Sequence, residues 1–293
     1  NTKNAWLSYG NRDTGVDIGF TLEYSETNGF KENITADTQT LFDTITGTTA
    51  SLAPGTTNTG KQMIDMRLEL SQKEWTFHLG YQGRDHVESG AGVAETLSPS
   101  SEFSSDRINT DFTYIFNDIA PDFKLTSRAS YYYNDQQVEK DNILFPSGSN
   151  VFYPIGTFTG AFPTEPLFPN GMVGNPEFRE EQARFNLDSE FTGINNHILR
   201  VGAGFFWGDI YETKEQKNFC ANLTPRPGGL EEVGDTDEVF LPEKDRTNTS
   251  IYLQDEWLFT DNWALTTGIR YDDYSDFGDT YNPRLALVWA TTD

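Results

Sequence analysis

The stretch Val16-Asp-Ile-Gly-Phe-Thr-Leu-Glu-Tyr24 alternates without a break. Val16, Ile18, Phe20, Leu22 and Tyr24 share one parity, and Asp17, Gly19, Thr21 and Glu23 share the other. Successive side chains of a strand point to opposite faces, so this segment is a strand with one apolar and one polar face; a helix would space its apolar residues three and four apart.

The same period recurs along the chain. Ile64, Met66, Leu68 and Leu70 alternate with Asp65, Arg67 and Glu69; Trp75, Phe77, Leu79 and Tyr81 alternate with Thr76, His78, Gly80 and Gln82. Ile108 to Phe116, Phe123 to Tyr133, Phe185 to Phe191, Leu199 to Trp207, Ile251 to Phe259, Leu265 to Tyr271 and Leu285 to Trp289 follow the rule. With a shorter strand near Ala5–Tyr9, about eleven strands are expected, and helical periodicity is hard to find. Many strands keep alternating for about ten residues, where soluble strands average about five or six.

The connections alternate as well. Asn11–Gly15, Ser71–Glu74, Asn117–Asp122, Gly193–Asn196 and Thr260–Asn262 are short, whereas roughly 26–62, 86–104, 136–180, 212–247 and 273–282 read as long loops. Tight turns on one rim and long loops on the other is the layout of an outer-membrane β-barrel. Charge on the polar face agrees: Asp17, Glu23, Arg67, Glu69, Arg184, Asp188, Glu190, Arg200 and Arg270 would be costly inside a narrow barrel, but line a wide lumen readily. Aromatics near strand ends, such as Trp75, Phe116, Trp257, Trp263 and Trp289, suit the interfacial girdles. A soluble β-rich binding module would share the alternation but explains neither loop order nor strand length.

Composition narrows the function classes. The 45 acidic against 21 basic residues give a net charge of −24, which excludes a nucleic-acid partner for the chain as a whole. Aromatics at 14% argue against disorder. The single Cys220 provides no internal disulfide and no cysteine-based metal site. No apolar run reaches the ~18 residues of a membrane helix, and that leaves a β-barrel untouched. The histidines His78, His86 and His197 lack a second histidine at ligand spacing, and no nucleophile elbow, P-loop or zinc-protease motif occurs, so an enzyme is not expected. Gly202-Ala-Gly204-Phe-Phe-Trp-Gly208 lies within a strand, where close packing or strand curvature explains its glycines better than a nucleotide loop does.

One region is more specific. Tyr252-Leu-Gln-Asp-Glu-Trp257, Gly268-Ile-Arg-Tyr-Asp272, Tyr274-Ser-Asp-Phe-Gly278 and Asn282-Pro-Arg-Leu285, in this order and spacing, resemble the mid-barrel region of TonB-dependent outer-membrane receptors, most closely the ferric-siderophore and cobalamin branch. The resemblance implies an all-β, antiparallel transmembrane barrel of about 22 strands around a globular plug, the plugged-lumen class. Residues 1–293 are then expected to be a partial receptor barrel domain, a mid-barrel fragment without the plug and the remaining strands. The implied setting is the Gram-negative outer membrane, with its lipid and lipopolysaccharide as neighbours. The implied activity is uptake of a large scarce nutrient, an iron chelate such as a ferric siderophore by preference, coupled to the TonB complex through the plug. No cofactor is implied. A passive porin is the alternative membrane reading.

The candidate residues follow from this layout. In the longest loop Phe145, Phe152, Tyr153, Phe158, Phe162 and Phe168 stand among prolines; they either stack on a ligand or pack on one another. Arg226 joins them as a ligand-loop candidate. Arg67, Arg184, Arg200, Gln254 and Arg270 have the polar parity and are expected to face the lumen or plug, Arg270 either in a wall ion pair or against the plug. Asp235, Asp237 and Glu238 offer oxygens to a calcium ion, as loop carboxylates do in related receptors, or simply form a solvated acidic loop. Asp272, Asp273, Asp276 and Asp279 form a similar acidic group.

Overall fold

The computed structural model describes residues 1–12, 15–98, 100–151 and 165–291. In chain order its elements are β1 (Thr2–Asn11), β2 (Asp17–Thr27), β3 (Asn33–Ile34), α1 (Thr38–Thr46), β4 (Gly55–Thr56), β5 (Lys61–Gln72), β6 (Trp75–Glu88), β7 (Glu102–Ala120), β8 (Phe123–Lys140), β9 (Ile143–Phe145), β10 (Met172–Phe191), β11 (His197–Lys217), β12 (Glu231–Glu232), β13 (Lys244–Thr260), β14 (Trp263–Tyr274) and β15 (Gly278–Trp289). Eleven of them form one wall in the order β1-β2-β5-β6-β7-β8-β10-β11-β13-β14-β15. Each strand pairs antiparallel with its neighbour along the chain, the path expected of a barrel wall.

The register carries the alternation from strand to strand. Leu68 stands opposite Phe20 and Leu79, Leu187 opposite Ser127 and Ala203, and Leu253 opposite Val201 and Ile269. On the other face Arg200 stands opposite Glu190 and Gln254, and Tyr252 opposite Gly202 and Arg270. The apolar face stays open: Leu285 is 77% exposed, Ile251 55% and Leu253 51%. Apolar side chains so uncovered match a wall whose outer solvent is lipid.

An aromatic belt marks the short-turn rim. His197, Trp257, Phe259, Trp263 and Trp289 follow one another at ring separations of 5.4–6.5 Å across four strands. Trp75 stacks on Phe112 at 6.2 Å further round. The tight turns are made where the chain tolerates positive φ, at Asp122 (57°) and Asn196 (63°).

Four long connections lie on the opposite rim, at 28–60, 89–101, 141–171 and 218–243. The fifth expected one, 273–282, is corrected: only residues 275–277 separate β14 from β15. Tyr271 and Tyr281 pair across the strands at 5.0 Å, Tyr274 stacks on Phe277 at 4.2 Å, and Gly278 supplies the φ of 86° that the turn requires. Both strand faces meet water at this height, so apolar alternation fades while hydrogen-bond pairing continues. The same effect lengthens β10 to 20 residues and β11 to 21, about twice what crossing the bilayer needs.

The buried core is in the loops. Phe42, Phe145, Val151, Phe168 and Met172 form one cluster, with Ala94, Leu144, Leu167, Phe219 and Leu223 packed on it. Every one of the four long connections contributes to it or flanks it. Helix α1, unexpected from the sequence, is part of this body. Asp37 caps it: its carboxylate accepts the Thr40 N–H at 2.9 Å, and Thr40 Oγ1 accepts the Asp37 N–H at 3.1 Å. Gly47 ends the helix in the left-handed conformation.

Candidate functional site

The outer mouth is built by three joints between consecutive loops. Asp37 makes the first. Besides the helix cap, it accepts the Ser51 hydroxyl at 2.7 Å and the Leu97 N–H of the second loop at 3.0 Å. Burial works against its charge, but these donors outweigh burial and hold its carboxyl below the ordinary range. Asp43 behaves alike: burial opposes ionisation, and Thr48, the Ser51 N–H and Gln39 lower the pKa nonetheless. The second joint is Thr96, whose hydroxyl donates to the Leu144 carbonyl, together with Ser101, which donates to Asp141 O at 3.1 Å and accepts from Ile143 N at 3.0 Å. The third is Asn218, which accepts from Val173 N at 2.9 Å and donates to Gly171 O at 2.8 Å. Phe42 meets Phe145 edge-on at 5.6 Å beneath these joints. Four loops therefore form one body.

Two of the aromatic candidates lie inside this body. Phe145 and Phe168 are buried in the loop core, where their rings pack against its other apolar residues. Phe152, Tyr153, Phe158 and Phe162 lie outside the described residues. Arg226 is spent internally: its Nε donates to Phe219 O at 3.0 Å and its other nitrogens bind Glu231 at 3.1 Å and Glu238. It staples the fourth loop to itself. Glu238 is thereby taken from the acidic trio with Asp235 and Asp237, and no group of three metal-ligating side chains converges among the described residues. Asp272 and Asp276 of the other acidic group are taken by Arg270 and Arg246. Cys220 is a free, half-buried thiol.

Below the mouth lies the polar face. Following the pairing from strand to strand puts Arg67, Arg184, Arg200, Gln254 and Arg270 on one side, opposite the apolar face. Arg200 bridges Glu190 on β10 at 3.0 Å and Glu256 on β13 at 3.2 Å. Arg270 takes the wall ion pair, its Nη2 lying 2.8 Å from Asp272. Histidine His78 sits between Glu69 and Asp111, each at 3.2 Å, so two neighbouring strands share it.

The glycines of β11 make room on this face. A Cβ on Gly202 would stand 2.1 Å from the Tyr252 ring, which lies across it so that the phenol donates to Asp188 at 2.9 Å on the strand beyond. Gly204 similarly clears space for Asn186 and Ser250. Close packing is therefore the reason for that glycine run. A groove of about 720 Å³ opens across β1, β2, β5 and β6, with Gly10, Gly19 and Gly80 among its lining residues and Arg67, Glu69 and His78 beside them.

The chain aligns over its full or near-full length with solved outer-membrane structures. One is the outer-membrane transporter YddB from Escherichia coli (13% identity, TM-score 0.55), covering 98% of this chain and 36% of that one. Another is the siderophore receptor PirA from Pseudomonas aeruginosa (14%, 0.52), covering 100% and 37%. A third is the ferric yersiniabactin uptake receptor FyuA from Yersinia pestis (11%, 0.52), covering 98% and 40%. At such identities the likeness is one of fold, and the chain spans well under half the length of each. The comparison with curated proteins finds no match. The family model "TonB dependent receptor-like, beta-barrel" matches residues 92–293, more than half of the chain. The wall with its lipid-facing exterior, polar interior and looped outer rim belongs to the TonB-dependent receptor β-barrel family of the Gram-negative outer membrane.

Proposed function

We propose that the complete receptor takes up a large, scarce nutrient, an iron chelate of the siderophore kind, by active transport coupled to the TonB complex. Its family is one of receptors and transporters rather than enzymes. In this reading residues 1–293 are one part of the barrel domain, which surrounds a plug that receives the energy. The ligand is recognised at the outer surface of the loop body. The lumen wall then guides it inward, and outer-membrane lipid and lipopolysaccharide surround the exterior.

One observation carries the proposal: four long loops are joined into a single body with its own buried core over a polar-faced wall. A pre-formed surface binds a rigid ligand with little ordering cost, which active capture at low concentration requires. A diffusion channel has no need of it. The siderophore preference is supported by receptors of similar fold, one titled a siderophore receptor and one a ferric yersiniabactin uptake receptor.

The test is uptake of radioactive iron from a panel of chelates by cells with and without the intact gene. Loss of uptake for at least one chelate, reproduced when TonB is inactivated, is expected. Unchanged uptake across the panel contradicts the substrate class. A flux that persists without TonB and rises linearly with solute concentration supports a porin instead.

A further inference from the structure

The four joined loops are short of basic residues. Connections 28–60, 89–101, 141–171 and 218–243 make up about a third of the chain, yet Lys31 and Arg226 are all they hold of its 21 lysines and arginines. The same segments hold twelve of its 45 acidic residues, six of them in 218–243, which leaves a balance of −10. The depletion of bases, more than any excess of acids, sets this part of the molecule apart from the wall.

Hydrogen bonding does not remove that charge. Arg226 pairs with Glu231 and Glu238 inside the fourth loop and is used up there. Asp37, Asp43, Asp141 and Glu243 accept from hydroxyls, side-chain amides or backbone N–H groups. A neutral donor favours the charged form of a carboxylate and leaves its charge in place. Glu95, Asp235 and Asp237 are exposed and form no ion pair among the described residues. The loops therefore offer a visiting molecule many carboxylates and, among the described residues, one unpaired cation, Lys31.

The apolar groups that these loops present agree with the same sign. Phe30 is 73% exposed, Phe240 79% and Val93 88%, one from each of three loops. The backbone of both phenylalanines is held: the Phe30 N–H donates to Thr59 Oγ1 at 2.9 Å, and the Phe240 N–H donates to the carboxylate of buried Glu215. The face of a phenyl ring attracts a cation. A surface of one sign raises the local concentration of the opposite charge and penalises its own.

We propose that this loop surface selects a positively charged chelate and turns anionic chelates away. Its unpaired carboxylates, Glu95, Asp235 and Asp237 among them, supply the field, and Phe30, Val93 and Phe240 supply apolar contact. The inference rests on the chelate-uptake reading given above. It adds the sign of the ligand's charge.

The experiment uses the full-length receptor, so every other loop of the mouth is present. One arm needs no ligand. A nitroxide on Val93→Cys, in a Cys220→Ser background, is exposed to a cationic and to an anionic paramagnetic complex. Collision with the cation should exceed collision with the anion about tenfold at low salt and less at physiological salt. Equal collision, or an excess of the anion, overturns the proposal. The second arm is uptake of ferrioxamine B, whose iron–hydroxamate core bears a pendant ammonium, beside its acetylated and succinylated forms and beside ferric citrate. Uptake at limiting concentration should fall from ammonium to acetamide to carboxylate, about tenfold in all. The double variant Asp235→Lys with Asp237→Lys should narrow that order. An order the variant leaves unchanged, or a preference for the succinylated form or for citrate, overturns the proposal. Uptake of no chelate in the panel contradicts the chelate reading and this proposal's ligand with it, and the collision ratio tells that failure apart from a wrong sign of charge.

Discussion

The wall and the loop body are built from the same chain for two different solvents. Buried apolar side chains sit at the loops: Phe42, Leu97, Phe145, Val151, Phe168, Met172, Val173 and Val233. In the wall the apolar residues point outward and remain open, as Leu253, Ile269 and Leu285 do. The loops fold as a water-soluble protein does, by hiding apolar surface from water. The wall has no such option on its outer face, and it holds together through a continuous hydrogen-bond ladder, with ion pairs across its inner face. One sequence rule, apolar inside, applies in the loops and is inverted in the wall.

Substitutions can break this contrast, beginning with the largest effect. Phe168→Ala removes a ring that is 2% exposed in the loop core and should cost the loop body about 3–5 kcal/mol. Limited proteolysis should then cut the long loops while the wall keeps its heat-resistant migration; a wall that unfolds with the loops would show the two regions to be one cooperative unit. In the wall, Leu253→Arg on the lipid face should cost about 2–4 kcal/mol in a denaturation series in lipid. Its neighbour Gln254→Lys, on the lumen face, should stay within about 1 kcal/mol. Equal costs at the two positions would erase the distinction between the faces. Gly202→Ala is next, at about 1–3 kcal/mol, because the Tyr252 ring must leave its seat and give up the bond to Asp188.

The smallest effect concerns pH and touches only the loops. Asp37 and Asp43 have carboxyl groups held below their ordinary value of about 3.9. A depressed folded-state pKa gives stability that is fully present above the unfolded value. That stability is lost as pH falls through the depressed one. Protease resistance of the first two loops should therefore be constant from neutral pH down to about 4 and decline below it. Asp37→Asn should weaken those loops already at neutral pH and flatten the decline.

The wall was legible in the sequence because strand periodicity repeats at short range. Val16 to Tyr24 alone gives the face of β2, and eleven such segments give the eleven wall strands found. The polar parity of Arg200 and Arg270 was readable in the same way, since parity is carried by the strand itself. Where both strand faces are wet the signal disappears, which is why residues 273–282 read as a loop although β14 and β15 run through most of them. The loop body had no comparable signal. Its joints link residues 60 apart, as from Leu97 to Asp37, and 48 apart, as from Thr96 to Leu144. Phe145 and Phe168 look identical in sequence whether covered or exposed. Helix α1 did leave a mark, Asp37 three residues before Thr40 with Gly47 beyond the end, but nine Thr-rich residues give too short a run for periodicity to show.

The central claim is that alternate residues of one wall strand meet lipid and water. Nitroxide labels placed singly at Leu199 through Phe205 of β11, in a Cys220→Ser full-length receptor in native outer membrane, test it most directly. Collision with oxygen should peak at Leu199, Val201, Ala203 and Phe205, and collision with a water-soluble nickel chelate at Arg200, Gly202 and Gly204, in opposite phase with a period of two. Profiles that rise and fall together, or that show no period, would contradict the account.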